Sequence, residues 1–217
     1  MRKQYAVLGL GGFGSSVALT LQNLGCDVIA VDQSMEKVQA IANKVSYVMK
    51  GNVEEPEFMQ MLGARNLDGI IIAISTNKEA SIMATLLAKE VGVPYIIAKA
   101  HDERHEKILL KIGADAIVHP EREMGSRVAK NLVSTDFADW IALSPDYSMV
   151  EIETPDKWVG KTLRELEIRR KYNLSVVGCF EGDKVVLNPD PDAPIENGII
   201  LIVMGSNKSL QLLKEWK

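Results

Sequence analysis

Cysteine is almost absent from this sequence: Cys26 and Cys179 are the two in 217 residues. They lie far apart and share no motif. This excludes a disulfide framework and a cysteine-rich zinc site, and predicts a reduced, cytosolic setting. Long apolar runs are missing too. None approaches the about 20 residues that span a bilayer, because Gly, Lys or Glu interrupts each one. The opening Met1-Arg2-Lys3-Gln4 leads into a short apolar run that ends in glycines, unlike a signal peptide. There is no basic excess either: 29 acids against 25 bases leave a formal charge of −4. That argues against nucleic-acid binding driven by net charge. Internal repeats and low-complexity segments are absent.

What is present is an ordinary globular composition, with 47% hydrophobic and 25% charged residues. Over the first ~135 residues, strand-like and helix-like periods alternate. The expected strands are Gln4–Leu8, Asp27–Asp32, Ser46–Lys50, Gly69–Ala73, Tyr95–Lys99 and Ala116–Val118. Ile70-Ile71-Ile72-Ala73-Ile74 is apolar on both faces, as in a parallel sheet covered by helices. Asn77–Val91 carries apolar residues at Ala80, Met83, Ala84, Leu87, Ala88 and Val91, with Asn77 as N-cap and Gly92 as stop. Asn52 to Glu55 resembles a capping box before a helix ending at Gly63.

Leu132 to Leu143 reads as a connecting helical segment. Beyond Ser148 the chain is β-rich: Met149–Glu153, Ser175–Phe180, Val185–Leu187 and Gly198–Met204, with a hairpin turn at 181–183. Leu163–Tyr172 and Ser209–Trp216 read as short helices. The expected architecture is α/β: a Rossmann-like doubly wound parallel sheet, then a small α+β lobe. The boundaries fall at 1–133, a linker at 134–147, and 148–217.

The strongest motif is Gly9-Leu10-Gly11-Gly12-Phe13-Gly14, between a strand and a helix, with Asp32 ending the next strand 18 residues later. Gly9 permits a tight turn. Gly11 leaves room for a phosphate, and Gly14 lets helix and sheet approach. The helix N-terminus offers free N–H groups, and Asp32 accepts from ribose hydroxyls. An adenine nucleotide is the expected ligand, and the Asp32 carboxylate disfavours a 2′-phosphate.

Catalytic signatures are missing. No Ser-His-Asp grouping, HExxH or Walker A lysine is found. His101 and His105 stand four apart on an expected helix, as solvated residues rather than a metal pair. A small NAD(H)-dependent oxidoreductase remains an alternative. So does a redox-sensing repressor, though no helix-turn-helix is evident.

Five segments carry a more specific signal: VLGLGGFG (Val7–Gly14), VIAVD (Val28–Asp32), IGADAIVHPEREMG (Ile112–Gly125), LRELEIRRKYNLSVVG (Leu163–Gly178) and NPDPDAPIENGIILIVMG (Asn188–Gly205). Their order resembles the cytosolic RCK (regulator of potassium conductance) subunits of Ktr/Trk potassium-uptake systems. It is most similar to the Ktr type, with one RCK-N and one RCK-C lobe. The resemblance implies a non-enzymatic, nucleotide-sensing gating subunit. It implies homodimers assembled into an octameric ring at the inner face of the membrane, beneath a membrane-embedded potassium channel. It implies ATP and ADP competing for the Rossmann site, with NAD(H) or AMP as further ligands and Mg²⁺ or another cation at the phosphates. Cyclic di-AMP is implied between two C-terminal lobes. A sensor of the same type serving another transporter is the remaining alternative.

Carried onto this chain, the nucleotide residues are Gly9, Gly11, Gly12, Phe13, Gly14, Asp32, Gln33, Ser34, Asn52, Val53, Ile74, Ser75, Thr76, Lys99, His101, His105 and Glu121. Asn52 and Val53 are placed by adenine, and Ser75 and Thr76 by ribose or phosphate. Lys99 and His105 are placed at the phosphate tail. Glu121 is placed as a cation ligand near the γ-phosphate of a neighbouring subunit. Leu163, Ile168, Arg169, Ser175 and Pro191 form the cyclic di-AMP set, with Arg169 on phosphate. Two departures stand out. Gly12 replaces the family's phosphate-contacting arginine, and Arg164 replaces an apolar residue.

Overall fold

The computed structural model describes residues 2–133, 137–182 and 184–213. The chain divides after Glu121 into two compact units, each with its own sheet.

The first unit runs β1 (Gln4–Leu8), α1 (Gly12–Asn23), β2 (Asp27–Asp32), α2 (Met35–Ile41), β3 (Tyr47–Lys50), α3 (Pro56–Met61), β4 (Gly69–Ile72), α4 (Lys78–Glu90), β5 (Ile96–Lys99), α5 (Glu103–Ile112) and β6 (Ala116–Val118). Every pairing is parallel, in the order β3-β2-β1-β4-β5-β6. The core is split by strand alternation. Leu8, Val31, Ile70, Ile72 and Ile96 face one layer, with Met59, Leu87 and Leu109 packed on them. Val7, Val28, Ala30 and Ile71 face the other, with Ala18 and Val38. Burial on both faces explains the unbroken apolar strands. The expected doubly wound sheet is therefore what the chain forms.

Local signals set several boundaries. The Asn77 side chain accepts from Ala80 N at 3.1 Å, capping α4, and Gly92 follows its end with φ 84°. The helix expected from Asn52 instead begins at Pro56. Proline drives the preceding residue out of helical space, so Glu55 is extended and acts as N-cap. Asn52 instead accepts from Glu54 N at 3.2 Å in a local turn. His101 precedes α5 rather than lying on it, because Asp102 takes the N-cap and accepts from His105 N at 2.9 Å.

The second unit starts within α6 (Pro120–Val133), short of the expected boundary at 133. It continues with β7 (Phe137–Ala142), β8 (Tyr147–Glu153), α7 (Leu163–Leu166), α8 (Ile168–Tyr172), β9 (Leu174–Glu181), β10 (Lys184–Leu187), β11 (Ile200–Ser206) and α9 (Asn207–Leu212). The sheet is antiparallel, in the order β10-β9-β11-β8-β7.

The helical reading of Leu132 to Leu143 is corrected here. Residues 137–142 are a strand, with Trp140 opposite Val150 and the turn closed by Leu143 N donating to Tyr147 O at 3.0 Å. The Phe137/Trp140/Ile141 spacing imitates a helix face, but pairing with β8 makes the segment a strand, in which neighbouring side chains point to opposite faces. Trp140 is buried and Ile141 is 38% exposed. Trp140 joins Val150, Trp158, Leu174, Val203 and Leu210 in the core. The side chain of Phe137, Asp183 of the hairpin turn, and Trp216 of the last expected helix lie outside the described residues. The single helix expected at Leu163–Tyr172 is broken at Glu167, which sits at φ 48°.

Gly14 shows how tightly the first unit closes. A Cβ there would lie 1.9 Å from the carbonyl oxygen of Gly9 and 3.0 Å from Ala73 Cβ. At Gly12 a Cβ meets nothing within 4 Å. Gly14→Ala is expected to lower stability by about 1–3 kcal/mol, as overpacking does, with Gly12→Ala near neutral. Urea unfolding of both variants checks the contrast.

Candidate nucleotide site

The strand order reverses at β1, which pairs with β2 on one side and β4 on the other. Connections leave such a point in opposite directions and open a crevice at the carboxyl ends of the strands. The crevice here is lined by Gly9 and Gly11 after β1, Val31, Asp32 and Gln33 at β2, Gly51 and Val53 after β3, and Ala73–Asn77 after β4. Lys37 of α2 and Ala80 of α4 complete it.

The glycine loop is held from both sides. Gly9 adopts φ 96°, and a Cβ there would press within 3.1 Å of the Ala73–Ile74 backbone. Its N–H donates to Val31 O at 2.8 Å. Asp32 then fixes the next residue: Oδ2 accepts from Leu10 N at 2.7 Å and Oδ1 from Ser34 N at 2.9 Å. Asp32 is therefore a brace for the loop, and its carboxylate lines the crevice. Lys37 Nζ lies 3.5 Å from its Oδ2. At the mouth of α1, Gly11 is the N-cap and has no side chain, and the first turn carries no acid. Those N–H groups face outward with their partial positive charge, the arrangement that suits a phosphate.

The residues expected here divide clearly. Gly9, Gly11, Asp32, Gln33, Val53, Ile74, Ser75 and Thr76 line the crevice. Asn52 sits behind its wall, accepting from Gln33 Nε2 at 2.9 Å. Gly12 is exposed at the start of α1, Phe13 packs into the core, and Ser34 is the N-cap of α2. The sequence reading missed Val31, Lys37, Gly51, Ala73, Asn77 and Ala80. A signal existed for two of them. Lys37 falls one turn into the helix after Asp32, and Gly51 ends a strand where a Cβ would lie 1.9 Å from the Phe58 ring.

Lys99, His101, His105 and Glu121 do not line the crevice. Lys99 is 4% exposed and donates to Ser75 Oγ at 2.9 Å; it also pairs with the carboxylate of Glu121. That hydrogen bond holds Glu121 below the usual carboxylate range. Lys99 thus links the crevice wall to the first turn of α6. His105 is buried, with Nδ1 accepting from His101 N at 3.3 Å and Nε2 without a partner. Burial, then the neighbouring His101 and Lys78, push its pKa down. Among the described residues no three His, Cys, Asp or Glu side chains group as metal ligands. Glu121 alone is thus a single carboxylate, already neutralised by Lys99.

A TrkA-N domain model matches residues 5–120 and a TrkA-C domain model residues 147–217. Ktr system potassium uptake protein C of Bacillus subtilis (strain 168) is 43% identical over 95% of this chain and 93% of its own length. Protein A of the same system and strain is 38% identical over 96% and 94%. The chain belongs to the Ktr/Trk family of potassium-uptake regulatory subunits. The GsuK RCK domain matches the Ktr-type fold with a TM-score of 0.69 at 19% identity, over all of this chain and 48% of that one. The oxidoreductase alternative is set aside, since these Ktr relatives are uptake proteins and not enzymes. No helix among the described residues is long and apolar enough to cross a membrane.

In this Ktr subunit the buried Lys99 gives a test of the crevice wall. Glu121→Gln strands a buried cation, and stability is expected to fall by about 1–3 kcal/mol. Lys99→Met removes the cation and releases the carboxylate, whose side chain is already 73% exposed, to water. Stability should then be unchanged or higher. Thermal unfolding of the two variants separates these outcomes.

Acid supplies a second test. Asp102 is lowered to about 2 by its hydrogen bond to Lys78, at 2.5 Å, and by the N–H of His105. A depressed carboxylate stabilises the fold above its unfolded value, 3.8, and loses that contribution as pH falls toward 2. Asp102→Asn should flatten the loss of melting temperature between pH 4 and 2, measured by calorimetry at fixed ionic strength.

Proposed function

We propose that this chain is the nucleotide-sensing gating subunit of a potassium-uptake channel, with ATP and ADP competing for the crevice beside β1. The observation that carries the reading is the bare N-terminus of α1 facing a crevice with a ribose-reading acid, Asp32, braced against the same loop. Adenine is assigned to the side of Gly51 and Val53, ribose to Asp32, and the phosphates to Gly11 and the Ser75–Thr76 wall. The two nucleotides differ by one phosphate. A ring that holds them in different conformations converts that difference into a population shift.

A divalent cation enters this proposal through Glu121 and the phosphate oxygens of a bound nucleotide. It would supply positive charge between carboxylate and phosphate, beside the Lys99 ammonium that pairs with the same carboxylate. His101, which is exposed, is assigned to the outer part of the phosphate site, with the buried His105 accepting from its N–H. Assembly as homodimers within an octameric ring, at the inner membrane face beneath the channel subunit, completes the reading. NAD(H) is the further ligand that would compete for the same crevice.

In the second unit, cyclic di-AMP is assigned to Leu163, Ile168, Arg169, Ser175 and Pro191. Local charge supports Arg169 as the phosphate ligand. Its neighbours Arg170 and Lys171 both pair with Glu167, at 3.0 and 3.6 Å. Arg169 is exposed and, among the described residues, forms neither a hydrogen bond nor an ion pair.

Calorimetric titration of nucleotide-free protein with ATP, ADP, AMP and NADH, with and without Mg²⁺, tests the first site. The expected result is ATP and ADP binding, with the ATP affinity sensitive to the cation. Binding of NADH alone would replace nucleotide charge by redox state as the sensed quantity. Gly12 supplies a further expectation. Open space around it admits a side chain, so Gly12→Arg should tighten ATP about tenfold or more, the value of a charge-assisted hydrogen bond. ADP should tighten less.

A further inference from the structure

The second-unit site contains a polar fixture that its apolar residues do not account for. The loop 188–195 carries Pro189, Pro191 and Pro194. Three of its residues therefore have no N–H to donate, so between its ends the loop relies on carbonyls and side chains for anchoring. The anchor is Arg164, in the first turn of α7. Its backbone N–H donates to Pro191 O at 3.1 Å. Its guanidinium forks onto Asp192, with Nε to Oδ1 at 2.5 Å and Nη2 to Oδ2 at 2.9 Å. The two carboxylate bonds are parallel and bidentate, the geometry that fixes the plane of a guanidinium as well as its position.

The rest of the neighbourhood is built to hold that plane still. α7 is closed by a capping box, Thr162 Oγ1 accepting from Glu165 N at 3.1 Å and Glu165 Oε2 from Thr162 N at 2.9 Å. The loop is braced internally by Asp190 Oδ1, which accepts from Asp192 N at 2.9 Å. On its far side Ile195 N donates to Lys161 O at 2.9 Å. Arg164 and Asp192 are both exposed, so an ordinary ion pair here would contribute little. A fork joined to a backbone bond on the same loop does something else: it fixes where Pro191 stands relative to Leu163 and presents a flat cation beside them.

We propose that the Arg164–Asp192 fork is a positioning and specificity element of the second-unit ligand site, offering the guanidinium face for a purine base to stack on. It rests on the reading of that site as a cyclic di-AMP site. Arginine stacks on aromatic planes and lysine does not do so in the same way. The fork thereby presents a flat cationic surface beside Pro191. Asp192 acts through Arg164 and touches no ligand.

The test is calorimetric titration of the full chain with cyclic di-AMP, each variant first checked for an unchanged melting profile. Asp192→Asn and Arg164→Lys should each weaken binding about tenfold. Asp192→Glu should recover part of the loss. The double variant should be no weaker than either single one, because both remove the same fork. Arg169→Ala should abolish binding, which locates the ligand here. If the wild type binds and Asp192→Asn binds equally well, the fork proposal is overturned and the site reading stands. If the wild type does not bind cyclic di-AMP, both fall.

Discussion

The hydrogen bond from the Leu10 N–H to the Asp32 carboxylate joins the ends of two parallel strands at the point where the sheet changes direction. It spans 22 positions of sequence in one bond of 2.7 Å. Parallel strands have no tight turn to set their relative ends, so contacts of this kind must do it. With Leu10 fixed, Gly9 is held in its left-handed conformation against Ala73 and Ile74. Gly11 is left at the tip, and α1 starts with its N–H groups uncovered. An open crevice beside a bare helix start follows from that one constraint. Under the proposed function Asp32 has a double duty, keeping lone pairs for ribose while serving the loop.

The first unit spends little charge inside. Its one buried lysine, Lys99, is tied to Ser75 on the crevice wall and to Glu121 at the start of α6. A buried ammonium needs a counter-charge close by, and Glu121 provides it from a largely exposed position. This arrangement makes the wall of the crevice and the first turn of α6 electrically dependent on one another. An anion arriving beside Ser75 meets a cation already committed to a carboxylate.

The second unit solves a different problem. Its antiparallel sheet is built from two hairpins joined by β11, and the loop over α7 is rich in proline and short of donors. Arg164 supplies two anchors at once, one from its backbone and one from its side chain. Glu167 meanwhile takes up Arg170 and Lys171. Of the three adjacent cations 169–171, two thus share one carboxylate and Arg169 stays exposed beside them.

Much of this was legible in the sequence, and the reasons differ by element. The central strands β1, β2, β4 and β5 announced themselves because most of their residues are buried on both faces, whereas the edge strands β3 and β6 are only partly covered. The glycine loop and Asp32 were legible because the backbone there needs residues without side chains at fixed spacing. The strand 137–142 was not, because Trp140 and Ile141 fall at helical spacing from Phe137, and only pairing with β8 decides between the periods. Asn52 was misjudged as a cap because Pro56 sets the helix start. The sequence by itself determined the sheet, the tight turn and the acid beside it, since all are enforced by local sterics and apolar patterning. Tertiary structure alone decided that Lys99 would face Glu121 and that Arg164 would grip Asp192. Those partners stand 22 and 28 positions apart, and long side chains choose partners by proximity in space, which spacing along the chain does not encode.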